Sequence, residues 1–176
     1  TPANLRKIDD DFCNYFTFGC SAMSKAVESI ILSGRPYGGV MILVNNSLRP
    51  ITKTIYCDKR YAVIMVANYV IVNIYLPCVG TENRLLVCEN ILTAIACYLE
   101  QYDDYVHLIS GDFNCDLSIS DKVASCINKF IDDYSLHRCD ELFDKTALMT
   151  YINPALNHNS HIDYMLISCR ERALHF

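Results

Sequence analysis

The sequence lacks the cysteine spacings that mark zinc-binding and redox modules. None of its ten cysteines forms a Cys-x-x-Cys pair, and no Cys/His quartet has the spacing of zinc ligands. Many of the cysteines lie inside apolar runs, as Cys88, Cys97 and Cys126 do. This distribution favours reduced, buried thiols in an intracellular protein over a secreted disulfide framework.

Charged residues are also scarce, at 20% of the chain against 52% hydrophobic residues, which indicates a globular protein with a sizeable core. None lies between positions 61 and 81, a stretch long enough to cross a membrane. Because this stretch contains two asparagines and a proline and is rich in Val and Ile, it is predicted to form two buried strands, 61–67 and 70–76. The turn between them is placed at Asn68 and Tyr69, and no membrane association is expected.

The net charge of −5 is unevenly distributed along the chain. Residues 1–88 carry a net charge of +3, whereas residues 89–176 carry −8. A surface that attracts phosphates is therefore predicted mainly in the first half, although each of its cations could equally be an ordinary solvated charge. The candidate cations are Arg35, Lys53, Lys59 and Arg60.

Hydrophobic periodicity predicts one α/β domain over residues 1–176. Short strands joined by tight turns imply antiparallel pairing. Their alternation with two helices indicates an α/β sandwich, in which two packed, mainly antiparallel sheets are flanked by helices. The predicted strands lie near 15–18, 39–44, 52–58, 61–67, 70–76, 105–109, 150–152 and 162–168.

The two predicted helices are amphipathic. The first spans 82–101, and the second spans 121–134 with Ser120 as its N-cap. His107, inside an apolar strand, is interpreted as a core histidine with satisfied ring nitrogens. The predicted inward residues are Leu85, Cys88, Leu92, Ile95 and Leu99 in the first helix, and Ala124, Ile127 and Ile131 in the second.

Three short motifs carry the chemistry. Gly111-Asp112-Phe113-Asn114 ends an apolar run and presents a carboxylate and an amide on a tight turn, although such a sequence is also ordinary turn chemistry. Asn73-Ile74-Tyr75-Leu76-Pro77 closes an earlier apolar strand. Ser160-His161-Ile162-Asp163-Tyr164 opens a later one. An aspartate can act as a general base or metal ligand, and an asparagine can donate to a phosphate oxygen.

The order and spacing of these motifs resemble those of the endonuclease/exonuclease/phosphatase superfamily, whose members are DNase I-like. The resemblance covers most of the chain, from about position 38 to position 168. The segment Arg35-Pro36-Tyr37-Gly38-Gly39, followed by an apolar strand, looks most like the endonuclease domain of LINE-type non-LTR retrotransposons.

The resemblance implies a role for each residue of the motifs. Asp112 matches the aspartate that orients or deprotonates the attacking water, and Asn114 the amide that holds a phosphate oxygen. Tyr75 matches a tyrosine whose hydroxyl contacts the phosphate. Asp163 matches a carboxylate that fixes the tautomer of a catalytic histidine, and an unpartnered buried aspartate there would be costly, which favours this role.

The resemblance also implies contacts with DNA. His161 stands where family members carry a basic residue near the DNA backbone, with a solvated loop histidine as the alternative. Thr150, followed by Tyr151, matches a Thr-aromatic pair near the DNA surface. Ser160 and Arg35 complete the predicted nucleic-acid-binding set.

Three departures from the family pattern limit this assignment. Cys78 stands where family members carry an asparagine, and a thiol is a poor substitute for an amide. The family's main metal-binding glutamate is expected upstream of Thr1. The Ser-Asp-His motif that ends the family's domain is not found before Phe176, since His175 is not preceded by Ser-Asp. We therefore expect a fragment that lacks the first and last strands of the domain and is itself inactive.

The leading hypothesis is a DNA-nicking endonuclease domain of a retrotransposon polyprotein, with Mg²⁺ as cofactor and Mn²⁺ as a substitute. Its expected partners are DNA and a reverse transcriptase domain in the same polyprotein, and its expected location is the nucleus. A phosphatase or phospholipase of the same fold is one alternative. A degenerate, non-catalytic nucleic-acid-binding remnant is another.

Overall fold

The computed structural model describes residues 8, 11–22, 38–143 and 149–173. The chain divides into two compact units, Thr1–Tyr75 and Leu76–Phe176. The predicted DNA contact Arg35 and the C-terminal His175 lie outside the described residues.

The first unit is built from antiparallel strands. Strands β1 (Tyr15–Ser21) and β2 (Gly39–Asn45) form one hairpin-like pair. After a 3₁₀ turn, β3 (Thr52–Cys57), β4 (Tyr61–Val66) and β5 (Tyr69–Tyr75) pair in sequence order. The antiparallel pairing predicted from the short connections is therefore confirmed.

The uncharged stretch forms β4 and β5, as predicted. Residues such as Val63, Ile64 and Val72 are fully buried, and this burial explains why the stretch carries no charge. The turn lies one residue earlier than predicted, at Ala67 and Asn68, because Ala67 adopts a left-handed conformation (φ 51°) that ends β4. Among the described residues, no helix has the length and hydropathy needed to span a bilayer.

The second unit combines a small sheet with helices. Strand β6 (Val106–Asp112) pairs antiparallel with β10 (Asp163–Ile167), which pairs on its other side with β7 (His137–Arg138). Strands β8 (Tyr151–Asn153) and β9 (His158–Ser160) form a separate hairpin. The expected α/β fold with mainly antiparallel sheets and helices is confirmed.

Helix α1 (Arg84–Gln101) and helix α2 (Lys122–Asp133) are the two predicted helices. Their apolar stripes are buried as predicted, except that Leu85 is only half-buried. The predicted cap is wrong: Asp121, not Ser120, occupies the N-cap position of α2. The buried residues are Cys88, Ile91, Leu92, Ile95 and Leu99 in α1, and Val123, Ala124, Ile127, Phe130 and Ile131 in α2.

Several short elements escaped prediction. Besides β7 and β9, these are α3 (Cys139–Phe143) and α4 (Arg170–Ala173). Each is too short to show a hydrophobic period of its own. The interpretation of His107 is confirmed, because its buried ring places Nε2 2.9 Å from the Tyr102 carbonyl oxygen.

Candidate active site

The motif Gly111–Asn114 forms a tight turn at the end of β6. Gly111 (φ 136°) and Asn114 (φ 50°) both adopt positive φ, and the Asn114 backbone N–H donates to Asp112 Oδ1 at 2.8 Å. The strand extends beyond its predicted end at 109 and includes Asp112 itself. The backbone therefore holds the Asp112 carboxylate in a defined orientation.

Phe113 anchors this turn, a role that the motif alone does not reveal. Its side chain is completely buried and packs edge-on against Tyr164, with ring centroids 5.4 Å apart. Its backbone N–H donates to the Ile162 carbonyl oxygen at 2.8 Å. The buried aromatic ring thus fixes the two flanking polar residues, Asp112 and Asn114, relative to the start of β10.

The turn is also tied to the segment that follows β5. The Leu76 N–H donates to the Asp112 carbonyl oxygen, and Asn114 Nδ2 donates to the Leu76 carbonyl oxygen, both at 2.9 Å. One of the two amide hydrogens of Asn114 is therefore used to orient its side chain. The second remains available to a ligand oxygen, as the predicted phosphate contact requires.

Asp112 and Asp163 are directly opposite one another on the paired strands β6 and β10. Side chains at such positions project from the same face of the sheet. Burial raises the pKa of Asp112, the hydrogen bond from the Asn114 N–H opposes this rise, and the charge of Asp163 adds to it. The charge of Asp163 therefore contributes to the electrostatic environment of Asp112.

Asp163 differs from the prediction in one respect. Its side chain is exposed, not buried, because it is the first residue of β10 and lies on the solvent side of that strand. The argument that a buried aspartate needs a partner therefore does not apply to Asp163, because its side chain is not buried. Its predicted role as the residue that orients a catalytic histidine stays a prediction.

Thr150 organises the start of β10. Its Oγ1 accepts hydrogen bonds from the backbone N–H groups of Ile162 and Asp163, at 3.0 and 3.1 Å. Its own N–H donates to the Ser160 carbonyl oxygen. Ser160 is buried, with 7% of its surface exposed, which leaves it little area for the predicted contact with DNA.

His161 is engaged within the protein and is not a solvated loop residue. Its Nε2 lies 2.9 Å from the Asp163 carbonyl oxygen, and its Nδ1 lies 3.7 Å from a carboxylate oxygen of Asp140. Its ring stacks on that of Tyr164 at 4.3 Å. Burial raises the pKa of Tyr164 to about 12, so this tyrosine stays neutral and donates to the His161 carbonyl oxygen.

Tyr75 is the last residue of β5 and belongs to the first unit. Its backbone N–H donates to the Arg60 carbonyl oxygen at 2.7 Å, and the Arg60 guanidinium lies 5.2 Å from the centre of its ring. Its predicted contact with phosphate stays a prediction. Cys78 is exposed, and its Sγ lies 3.7 Å from Thr81 Oγ1.

The described residues do not form a metal centre by themselves. Within residues 8, 11–22, 38–143 and 149–173, no group of three His, Cys, Asp or Glu side chains is arranged to hold a metal ion. Asp112 and Asp163 supply carboxylate oxygens of the kind that Mg²⁺ prefers, and Mg²⁺ is commonly held by only one or two carboxylates together with waters and substrate phosphates. These two residues therefore fit part of a magnesium site.

The fold is shared with solved structures of the endonuclease/exonuclease/phosphatase family. The chain superimposes on a member of that family from Bacteroides thetaiotaomicron with a TM-score of 0.59 and 11% identity, covering 94% of this chain and 65% of the other. It superimposes on the mannosyl-6-phosphatase Bt3783 of B. thetaiotaomicron VPI-5482 with a TM-score of 0.59 and 12% identity, covering 95% and 67%.

These likenesses define the fold class of this chain. At 11 and 12% identity they establish no activity or substrate. The chain spans about two thirds of the length of both solved proteins. No protein-family model matches the sequence, and no curated protein does.

Proposed function

We propose that this chain carries part of a phosphoester hydrolase site built on Asp112, Asn114 and Asp163. The observation that carries the proposal is the direct opposition of Asp112 and Asp163 on β6 and β10. Like charges at opposed positions destabilise a sheet, so a pair of this kind requires another reason for its presence. Paired carboxylates with different environments are a common basis for acid–base chemistry.

Each residue has a role that its environment supports. Asp112 is the general base, since its raised pKa makes it a better proton acceptor than an ordinary aspartate. The amide of Asn114, oriented by the Leu76 carbonyl oxygen, donates to a phosphate oxygen. Asp163 orients a histidine from another part of the parent protein, and the Tyr75 hydroxyl contacts the phosphate.

We propose DNA as the substrate, nicked by the endonuclease domain of a LINE-type retrotransposon polyprotein. The order of the three motifs and the Gly38-Gly39 strand support this choice. Mg²⁺ is the proposed cofactor and Mn²⁺ a substitute, with the main glutamate ligand outside these residues. A reverse transcriptase domain in the same polyprotein and a nuclear location belong to the same proposal.

A phosphatase is the second candidate, and a specific similarity favours it. One of the solved proteins of this fold is a mannosyl-6-phosphatase. A phosphomonoester would use the same carboxylate pair and amide, so the residues named above do not distinguish the two substrates. The distinction rests on whether the reaction cleaves a diester or a monoester.

The test uses the full-length parent protein with supercoiled plasmid and mannose 6-phosphate as parallel substrates. We expect nicking with Mg²⁺ that leaves 3′-hydroxyl and 5′-phosphate ends, abolished by EDTA and by Asp112→Asn. Hydrolysis of the sugar phosphate alone would favour the phosphatase. DNA binding without either reaction would support the non-catalytic remnant and contradict the proposal.

For the 176 residues on their own we expect no nicking above background. In the proposal, the main glutamate ligand of the metal and the catalytic histidine both lie outside these residues. Residues that act as a unit in catalysis lose most of the acceleration when part of the unit is absent. Nicking by this chain alone that Asp112→Ala abolishes would show that its own residues suffice.

A further inference from the structure

Arg84 occupies a position that its local environment does not favour. It is the first residue of α1, where the helix dipole disfavours a positive charge. The preceding Asn83 has a left-handed conformation (φ 50°), and its side chain makes no capping hydrogen bond. An arginine at such a site is explained by contacts elsewhere in the protein.

The Arg84 guanidinium makes those contacts in the second unit. Nε donates to the Pro77 carbonyl oxygen at 3.0 Å, and Nη2 donates to the Asn114 carbonyl oxygen at 2.7 Å. Only 16% of the side chain is exposed. Hydrogen bonds from a charged donor in such a protected position are among the stronger ones in proteins.

The two carbonyl groups belong to the two segments that form the proposed site. Pro77 directly follows Leu76, which exchanges hydrogen bonds with Asp112 and with the Asn114 amide. Asn114 adopts the left-handed conformation (φ 50°) that asparagine tolerates better than most residues, and the hydrogen bond from Arg84 to its carbonyl oxygen adds a further constraint on this turn. The Arg84 guanidinium therefore joins both segments through two hydrogen bonds that are separate from those made by Leu76.

Asp121 completes this arrangement. Its carboxylate lies 3.6 Å from Arg84 Nη1, and it makes no capping hydrogen bond to α2 although it occupies the N-cap position. Burial raises the pKa of the neighbouring Cys115 thiol, and the Arg84 guanidinium partly offsets that rise. The charge of Arg84 is thus balanced by Asp121, whose side chain does not make the capping hydrogen bond that is usual at an N-cap position.

We propose that Arg84 is a positioning residue that sets the orientation of Asn114 toward the phosphate. This inference rests on the proposed function for its catalytic consequence. The planar guanidinium donates along two fixed directions, which a lysine ammonium cannot reproduce. If Arg84 served only to neutralise Asp121, lysine would be an adequate replacement.

The test compares Arg84→Lys with the parent protein in single-turnover and steady-state hydrolysis. Misplacement of a group that binds the transition state lowers kcat, so we expect kcat to fall by about tenfold or more while KM changes by less than about twofold. The control is Lys122→Gln, which removes a cation from the first position of α2 and is expected to leave both constants unchanged. Parental kcat in Arg84→Lys would overturn the proposal.

A second measurement does not depend on activity. Hydrogen exchange of the peptide that contains Asn114 and Cys115 reports whether the turn is held. We expect about tenfold faster exchange in Arg84→Lys than in the parent or in Lys122→Gln, as loss of a charge-assisted hydrogen bond implies. If the parent hydrolyses no substrate, the proposed function fails, and unchanged exchange in Arg84→Lys would then overturn the positioning role as well.

Discussion

The two halves of the carboxylate pair lie in different surroundings. Asp112 is half-buried in a turn that Phe113, Leu76 and Arg84 hold by packing and long-range hydrogen bonds. Asp163 is exposed, and its backbone N–H donates a hydrogen bond to the hydroxyl oxygen of Thr150. The first region is held by a buried ring and long-range hydrogen bonds, whereas the second lies at an exposed strand start that is held by the Thr150 hydroxyl, by His161 and by pairing with β6.

This difference indicates that the two carboxylates have different roles, with Asp112 as the proton acceptor and Asp163 as the residue that orients a partner. A carboxylate whose pKa is raised by burial is suited to accept a proton, and a rigid turn keeps it in place. An exposed carboxylate is accessible and is suited to orient a partner that arrives from elsewhere. The predictions that follow disturb one region at a time.

The largest expected effect comes from Phe113→Ala in the first region. Removing a completely buried phenylalanine should lower the free energy of unfolding by about 3–5 kcal/mol. Chemical denaturation of the purified protein measures this loss. The control in the second region is Met165→Ala on β10, which is 47% exposed and should change the stability by about 0.5 kcal/mol or less. Equal losses in the two variants would remove the contrast between the regions.

The second prediction concerns turnover. In the full-length parent protein, Asp112→Asn removes the base and Asp163→Asn changes the orientation of the partner histidine. Each should reduce single-turnover nicking by roughly 100-fold or more. Asp103→Asn, an exposed aspartate in the turn after α1, serves as the matched control. Near-parental turnover in Asp112→Asn would be incompatible with its role as base.

The third prediction tests how Thr150 supports the exposed region. Thr150→Val keeps the shape but removes the acceptor of two backbone N–H groups, which should cost about 1 kcal/mol of stability because water can partly replace it. Exchange of the Asp163 amide should accelerate in the same variant. Thr150→Ser keeps the hydroxyl and should behave as the parent. If valine and serine had the same effect, the hydroxyl would have no part in holding β10.

Among the substitutions within the proposed site, the smallest effect on activity is expected for Tyr75→Phe. Deleting one hydroxyl removes a single hydrogen bond, worth about 0.5–1.5 kcal/mol, or up to about 3 kcal/mol to a charged phosphate. The variant should therefore lose less activity than either aspartate variant on the same supercoiled substrate. Complete inactivity of Tyr75→Phe alongside an active Asp112→Asn would reverse the assigned roles.

Much of the fold follows from local sequence patterns. The uncharged stretch became β4 and β5, and the apolar stripes of α1 and α2 are buried, because period and burial are properties that a short window displays. The motif around Asp112 was recognisable because a turn needs particular residues at fixed positions. These elements depend on neighbours in the sequence.

The remaining features depend on distant residues. Arg84 lies thirty positions before Asn114, and no local pattern announces that its guanidinium reaches the Asn114 carbonyl oxygen. The exposure of Asp163 depends on which side of β10 faces solvent, and the Asp121 carboxylate at the N-cap of α2 lies 3.6 Å from Arg84 Nη1, a residue distant in the sequence. A cation at the start of a helix was the signal that could have drawn attention to Arg84.

The most direct test of the carboxylate pair is an NMR titration of the Asp112 carboxyl group in the parent and in Asp163→Asn. We expect a pKa above the ordinary value of 3.8 in the parent and a lower pKa in Asp163→Asn, since the neighbouring charge is removed. Hydrolysis that depends on this base should accordingly increase as the pH rises through the raised pKa. An ordinary pKa that is the same in both proteins would contradict the claim that Asp112 and Asp163 form one site.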